Sequence, residues 1–457
     1  MTPLRLTWVQ PEDLVGHELR QAAEDGRDVA SVAARWHDAG GHPAPPRAGA
    51  SPGPASAASR ALAAELLDEL AAVPSPLPEP SGLREILAGA ASVPETTPAG
   101  DDLPDRLLGA WMGRAAGCVL GKPVEKIPRE GIREIAEATG NWPIRGWFTA
   151  KGLPDDVAAR WPWNRRSATT SLAENIDGVP EDDDLNFPML ALTLLERHGR
   201  DFTTADVARL WLDELPAGRV FTAERVAYRN LLDGLEPPAT ATYRNPFREW
   251  IGALIRADVH GWVNPGDPAA AAASAWRDAR LTHTANGLYG AMMTAAMCAR
   301  SLTTGPDPAQ AVRDVVGAGL SVIPAGSRLA VAVREAVADA RTEPCFERVA
   351  DRLYERHGGL HWVHTVNNAA LIAAALIHSR GDFTAAVAGA VAGGWDTDSA
   401  GATVGSVMGG ILGARRLPPR WHLRDHVTTT LRGFDGTTFG ALAGRTLALA
   451  GPSRRLT

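Results

Sequence analysis

The sequence predicts an all-α protein, a single large helical domain behind a helical, Pro-rich N-terminal extension. Three observations carry that reading. From Asp105 onward, segment after segment repeats its apolar residues at helical spacing, with short Gly/Pro/Asp turns between them. Runs of alternating β-branched residues, the mark of half-buried strands, are almost absent. Several segments, such as GATVGSVMGGILGA, are apolar all round and rich in Gly and Ala. Such a helix must be buried, and its small residues let a neighbouring helix axis come close.

Taken in order, residues 11–36 show helical spacing through Leu14, Leu19, Ala22, Val29, Val32 and Trp36. Pro11 with Glu12 and Asp13 makes the helix start, because the acids face the positive end of the helix dipole. The stretch HPAPPRAGASPGPAS, residues 42–56, excludes regular structure. A helix is expected over 57–72, capped by Ser56 and packed through Leu62, Leu66, Leu67 and Leu70. Pro-rich stretches at 73–81 and 93–104 flank another short helix. Residues 1–100 thus read as a helical arm on Pro-rich linkers, and 101–457 as the main domain. Its helices are expected at 105–121, 131–139, 185–198, 204–214, 222–233, 246–257, 268–279, 285–302, 307–319, 325–340, 345–356, 364–378, 382–391, 397–413 and 437–449.

Composition narrows the function. The 457 residues carry 46 Lys+Arg against 53 Asp+Glu, a net charge of −7, which lacks the basic footprint of a nucleic-acid binder. Cys118, Cys298 and Cys345 are too few and too scattered for a disulfide framework or a Cys-rich zinc site. No apolar leader opens the chain and no stretch of ~20 apolar residues suits a membrane span, so a cytoplasmic protein is expected. Lysine occurs only at 122, 126 and 151, a bias to which this reading gives no functional weight. The oligomeric state is not legible here.

Two acidic motifs carry chemistry. Glu181-Asp182-Asp183-Asp184 stands directly before the helix LNFPMLALTLLERHG, with Pro188 in its first turn. Capping needs one acceptor, whereas a hard dication needs several clustered oxygens. Gly393-Gly394-Trp395-Asp396-Thr397-Asp398-Ser399 opens one of the most apolar helices of the chain, so its carboxylates begin a buried element and need a partner. Gly394 lets the backbone approach a ligand closely. Carboxylates and hydroxyls without His or Cys favour Mg²⁺, with Mn²⁺ as the alternative, and the ligand charge calls for two ions.

The chain from about Asp105 to Gly451 resembles the ADP-ribosylglycohydrolase family. The resemblance rests on DRLLGAWMGRAAGCVLGKPVE as the opening helix, EDDDLNFPMLALTLLE as the first metal motif, and GGWDTDSAGATVGSVMGGILG as the second. It implies an all-helical hydrolase acting on ADP-ribosyl linkages. It implies metal ligands at Glu181, Asp182, Asp183, Asp396, Asp398 and Ser399, and a glutamate over the scissile bond at Glu125. The sequence departs from the family pattern at Glu181 and Asp184, where threonines are usual, and at Gly117-Cys118, where Gly-Asp is usual.

Other residues are candidates for substrate contact. Gly121 ends the opening helix. His283 and Asn286 lie in a stretch resembling the family's Thr-His segment, and His364, Asn367 and Asn368 stand at the start of a buried helix. Asp258, Gly261, Trp262 and Asn264 are expected in a loop. The function expected is metal-dependent hydrolysis of a glycosidic bond at C1 of ribose. Asp183 or Asp396 would handle the attacking water, and Glu125 the leaving-group side. The substrate would be an ADP-ribosylated protein or small molecule. The alternatives are an N-glycosidase of a small nucleoside- or nucleotide-like metabolite and a non-catalytic ADP-ribose-binding protein.

Overall fold

The computed structural model describes residues 6–43, 49–51 and 53–450, so part of the Pro-rich 42–56 stretch lies outside the described residues. The fold is all-α, and among the described residues backbone pairing outside helices is limited to isolated bridges such as Trp250 with His364. No helix among them is long and apolar enough to cross a membrane.

The N-terminal segment contributes α1 (Pro11–Glu24) and α2 (Ala57–Ala72). The spacing across 11–36 is divided between α1 and a second short helix, Ala30–Asp38. Gly26, at φ +70°, breaks the run, because that backbone shape is open to glycine and strained for other residues. Ser56 caps α2 as expected, accepting the Ser59 N–H at 3.1 Å.

The main domain is organised around α3 (Leu103–Gly121), α4 (Asp183–His198), α5 (Ala285–Ser301), α6 (Arg328–Thr342), α7 (Thr365–Ser379), α8 (Phe383–Ala392), α9 (Thr397–Leu412) and α10 (Phe439–Ala450). At its centre α3 and α9 run antiparallel in near backbone contact. Gly109, Gly113 and Gly117 face Gly409, Gly405 and Gly401, and Gly121 faces Thr397. A Cβ on Gly109 would lie 2.5 Å from the Gly409 carbonyl oxygen, so only glycine fits along this seam. Both helices carry these small residues every four positions, which keeps them on one face. The seam sets the end of α3 against the start of α9, and that junction positions the candidate site.

Two expectations need correction. The helix expected over 246–257 is only a short 3₁₀ turn, Ile251–Arg256. The backbone before it is committed elsewhere: Ile251 N–H donates to Val363 O at 2.9 Å, and Thr365 N–H to Glu249 O at 3.0 Å. The loop expected around Asp258 is a buried short helix, Asp258–Trp262. The Trp262 ring lies 4.7 Å from that of Trp111, in the core and not free to stack on a base.

The arm lies on the main domain. Leu14, Val15 and Ala22 of α1 and Leu66, Leu67 and Leu70 of α2 are buried in the common core. Trp8 and His17 pack edge-on against Phe247 and Trp250.

Candidate active site

Three chain segments converge at the α3–α9 junction. Thr397 donates its hydroxyl to Gly121 O at 2.8 Å, tying the start of α9 to the end of α3. The turn before α9 holds both Gly394 and Trp395 in the left-handed region, at φ +75° and +56°. A non-glycine residue there is strained, and the Trp395 ring is held by stacking on Tyr354 at 4.3 Å between centroids. The turn delivers Asp396, whose backbone N–H donates to Asn368 Oδ1 at 3.2 Å.

The third segment is the start of α4. Asp182 caps it by accepting the Asp184 N–H at 2.9 Å. The helix begins two residues earlier than the spacing predicts, so Pro188 sits inside it. Proline has no N–H for the carbonyl of Asp184. That freed carbonyl accepts Arg114 Nε at 2.7 Å instead. Arg114 is fully buried, and it also bonds Asp184 Oδ1 at 3.1 Å, Asp258 Oδ2 at 2.9 Å and the Ile255 carbonyl. Ser399 Oγ reaches Asp184 Oδ2 at 3.2 Å, so α4 and α9 are joined directly.

The carboxylates at this junction crowd together with little positive charge. Ligand atoms of Glu125, Asp396 and Asp398 lie within 4.8 Å of one another, as do those of Cys118, Asp182 and Asp184. Burial, then the charge of Glu125, pushes Asp398 up to about 7. Burial and the Asp398 charge push Asp396 far above the usual carboxylate range, and burial with Asp182 does the same to Asp183. Asp182 is held low, because the Lys122 ammonium outweighs the effect of burial. Burial raises the Cys118 thiol, so it stays protonated and is a poor ligand. Glu125 is fixed by Asn164 Nδ2 at 2.6 Å and by Lys126 at 2.9 Å.

Of the residues singled out from the sequence, Gly121, Glu125, Asp182, Asp183, Asn368, Gly394, Asp396, Asp398 and Ser399 are gathered at this junction. Asn367 is adjacent, with its amide spent on His361 O at 3.1 Å. Glu181 departs from the expected ligand set. Its carboxylate points away, accepting Thr430 N–H at 3.0 Å and Asn186 Nδ2 at 3.3 Å and pairing with Arg219 at 3.2 Å.

His283, Asn286 and His364 are elsewhere. Asn286 donates to Glu249 at 3.0 Å and Glu79 at 2.7 Å, and His364 lies 3.6 Å from Glu24 and 3.7 Å from Glu249. All of these belong to the contact with the N-terminal arm. His283 is buried beside Thr282 and the Glu224–Arg256 pair, and burial drives its pKa well below the ordinary value. Their shared signal, a polar residue opening a buried helix, marks any satisfied polar network as well as a site.

Lys122 and Asn164 were missed. Lys122 bonds Asp182 Oδ2 and, at 3.0 Å, the Glu181 carbonyl. The signal was present: two of the three lysines in an arginine-dominated chain stand at this junction.

The fold and the junction define an all-helical protein whose acidic clusters can hold a divalent metal. A family model for ADP-ribosylglycohydrolase matches residues 99–454, and the chain belongs to that family. Membership supports a hydrolase of ADP-ribosyl substrates, and the family is known for divalent metal use. One solved structure, an ADP-ribosylglycohydrolase-related protein complex, is similar over 77% of this chain and 100% of its own, with 21% identity and a TM-score of 0.46. No curated protein matches the chain.

Proposed function

We propose that the protein is a divalent-metal-dependent hydrolase that cleaves a glycosidic bond at C1 of ribose in an ADP-ribosyl substrate. The observation that carries this is the convergence of Glu125, Asp396 and Asp398, whose ligand atoms lie within 4.8 Å of one another, with no ion pair from Asp396 or Asp398 to any side chain among the described residues. The donor set fits a hard cation, since it offers carboxylate and hydroxyl oxygens and its nearby thiol is protonated. Asp183, Asp396, Asp398 and Ser399 would hold Mg²⁺ or Mn²⁺, with Glu125 alongside. When bound, the metal supplies a Lewis acid for a water and the ribose hydroxyls.

The chain's own residues do the rest. Asp183 or Asp396 accepts the proton of the attacking water. Glu125, oriented by Asn164 and Lys126, faces the leaving-group side. The surrounding carboxylates favour the positive charge that develops on the ribose ring in the transition state. Gly121, Asn368 and Gly394 line the approach, where a larger side chain at either glycine would collide with its neighbours. In this reading residues 101–457 form the catalytic domain and 1–100 an arm bound to it.

The test is a panel of ADP-ribosylated peptides, nucleosides and NAD, with released ribose species followed by mass spectrometry. Activity should vanish with EDTA and return with Mg²⁺ or Mn²⁺. Full activity in the combined Asp396→Ala and Asp398→Ala variant would overturn the reading.

A further inference from the structure

We infer that Lys122 takes the place of one of the two dications expected from the sequence, so that the centre holds a single metal ion. This rests on the reading that the junction takes a divalent metal. The first acidic motif is already neutralised by the protein. Lys122 extends from the end of α3 with its side chain only 7% exposed. Its ammonium bonds the Asp182 carboxylate, an expected ligand on this side, and the Glu181 carbonyl. The two oxygens of Asp184 are occupied by Arg114 and Ser399. The Glu181 carboxylate is committed to Thr430, Asn186 and Arg219. Only Asp183 of the four acids is left without a cation.

The second motif is the reverse. Asp396 and Asp398 are more than nine-tenths buried, and among the described residues no lysine or arginine pairs with either. One dication shared with Asp183 answers that deficit. A second would have to settle beside the Lys122 ammonium, where like-charge repulsion and the lack of free oxygens both oppose it. Lysine suits the role because its ammonium is a compact point charge with three donors that can serve several oxygens at once.

The experiment counts metal in the full-length protein. Mn²⁺ is titrated into EDTA-stripped protein, followed by calorimetry and by electron paramagnetic resonance. Wild type should bind one Mn²⁺ per chain with an uncoupled spectrum. Lys122→Met should bind two, with a spin-coupled spectrum. Two ions in wild type would overturn the inference and leave the metal-dependent reading standing. No bound ion in wild type would overturn both. A folded Lys122→Met variant that still binds one ion would show that the lysine does not exclude the second. Should that variant not fold, the wild-type count decides by itself.

Discussion

Two regions of this molecule bury clusters of carboxylates, and they treat the charge in opposite ways. Where the arm meets the main domain, the buried acids Glu18, Asp25, Glu79 and Glu249 each have an arginine. Arg248 pairs with Glu18 and Asp25, each at 2.7 Å, and Arg328 with Glu79 at 2.6 Å and Glu249 at 2.8 Å. The neighbouring His364 and the Arg328 charge hold Glu249 far below the carboxylate range despite its burial. These groups border a cavity of about 540 Å³ under the arm. At the α3–α9 junction Asp396 and Asp398 are enclosed and Asp183 partly so, yet among the described residues no side chain forms an ion pair with them and all three are pushed upward. Burial alone therefore does not mark a functional site. A cavity lies at the saturated cluster, while the proposed chemistry lies at the starved one.

The sharpest way to break this contrast is to remove charge from the starved side. The combined Asp396→Ala and Asp398→Ala variant should lose Mn²⁺ binding and at least about 10³-fold in hydrolysis, since metal stabilisation of the transition state is worth several kcal/mol. Its metal-free form should unfold at a temperature no lower than that of metal-free wild type, because mutual repulsion has been relieved. A large fall in that temperature would show that the acids hold the fold together.

The saturated side should respond in the opposite sense. Glu249→Ala leaves the partly exposed Arg328 its pair with Glu79 at 2.6 Å but removes the acceptor of the buried Asn286 N–H, which costs about 1–3 kcal/mol. Chemical denaturation should register that loss, while Mn²⁺ affinity in the folded fraction stays within about twofold of wild type. Loss of Mn²⁺ binding in protein that remains folded would mean the two regions are one functional unit.

The same contrast explains what was legible in the sequence. Helices such as α2, α3 and α9 follow from apolar spacing, and their observed ends agree with it to within a residue or two. The acidic motifs before α4 and α9 stand out because four and two acids are more than capping requires. What spacing cannot show is which way a side chain turns. Glu181 is one residue from Asp182, yet it faces Thr430 and not the junction. His283, Asn286 and His364 look like ligand contacts because they are polar at buried helix starts, but Asn286 is satisfied by Glu79 and Glu249, far away in the chain, His364 lies beside Glu24 of the arm, and His283 bonds its neighbour Thr282. For Lys122 the rarity of lysine was a signal, but its role shows only once its partner Asp182 is placed.

The regions also separate by pH. Asp398 has a folded pKa of about 7 against an ordinary 3.8, so the folded metal-free state holds the extra proton between those values. This term favours folding at low pH and is lost as pH rises toward 7. Metal must displace that proton, so Mn²⁺ affinity should rise severalfold between pH 6 and 8, with proton release measurable by calorimetry in two buffers. At the arm the sign reverses. Burial, then Arg20, lowers His17 to about 3, and burial with the neighbouring His17 lowers His361 to about 2. Their contribution is present above pH 6.5 and is lost as pH falls toward 3, because the unfolded chain takes up protons first. Limited proteolysis should therefore release the arm progressively below pH 6.5. Protection that increases on acidification would contradict the assignment of these histidines.

The smallest expected effect is the most discriminating. Glu181→Gln keeps the length of the side chain and one acceptor oxygen. Its hydrogen bonds from Thr430 can persist on that oxygen, and the partly exposed pair with Arg219, 3.2 Å apart, is worth about 1 kcal/mol or less. Stability should barely move, and Mn²⁺ affinity should change by less than about threefold, because the carboxylate is already turned from the junction. A ligand would behave otherwise: loss of one charged oxygen from a hard-cation site weakens binding by about tenfold or more. Measured beside Asp183→Asn, one position further into the motif's acidic run than Asp182, the variant asks which face of the run the metal uses. A large loss at Asp183 with almost none at Glu181 places the metal on the α9 side, whereas equal losses would require the Glu181 side chain to swing inward when metal binds.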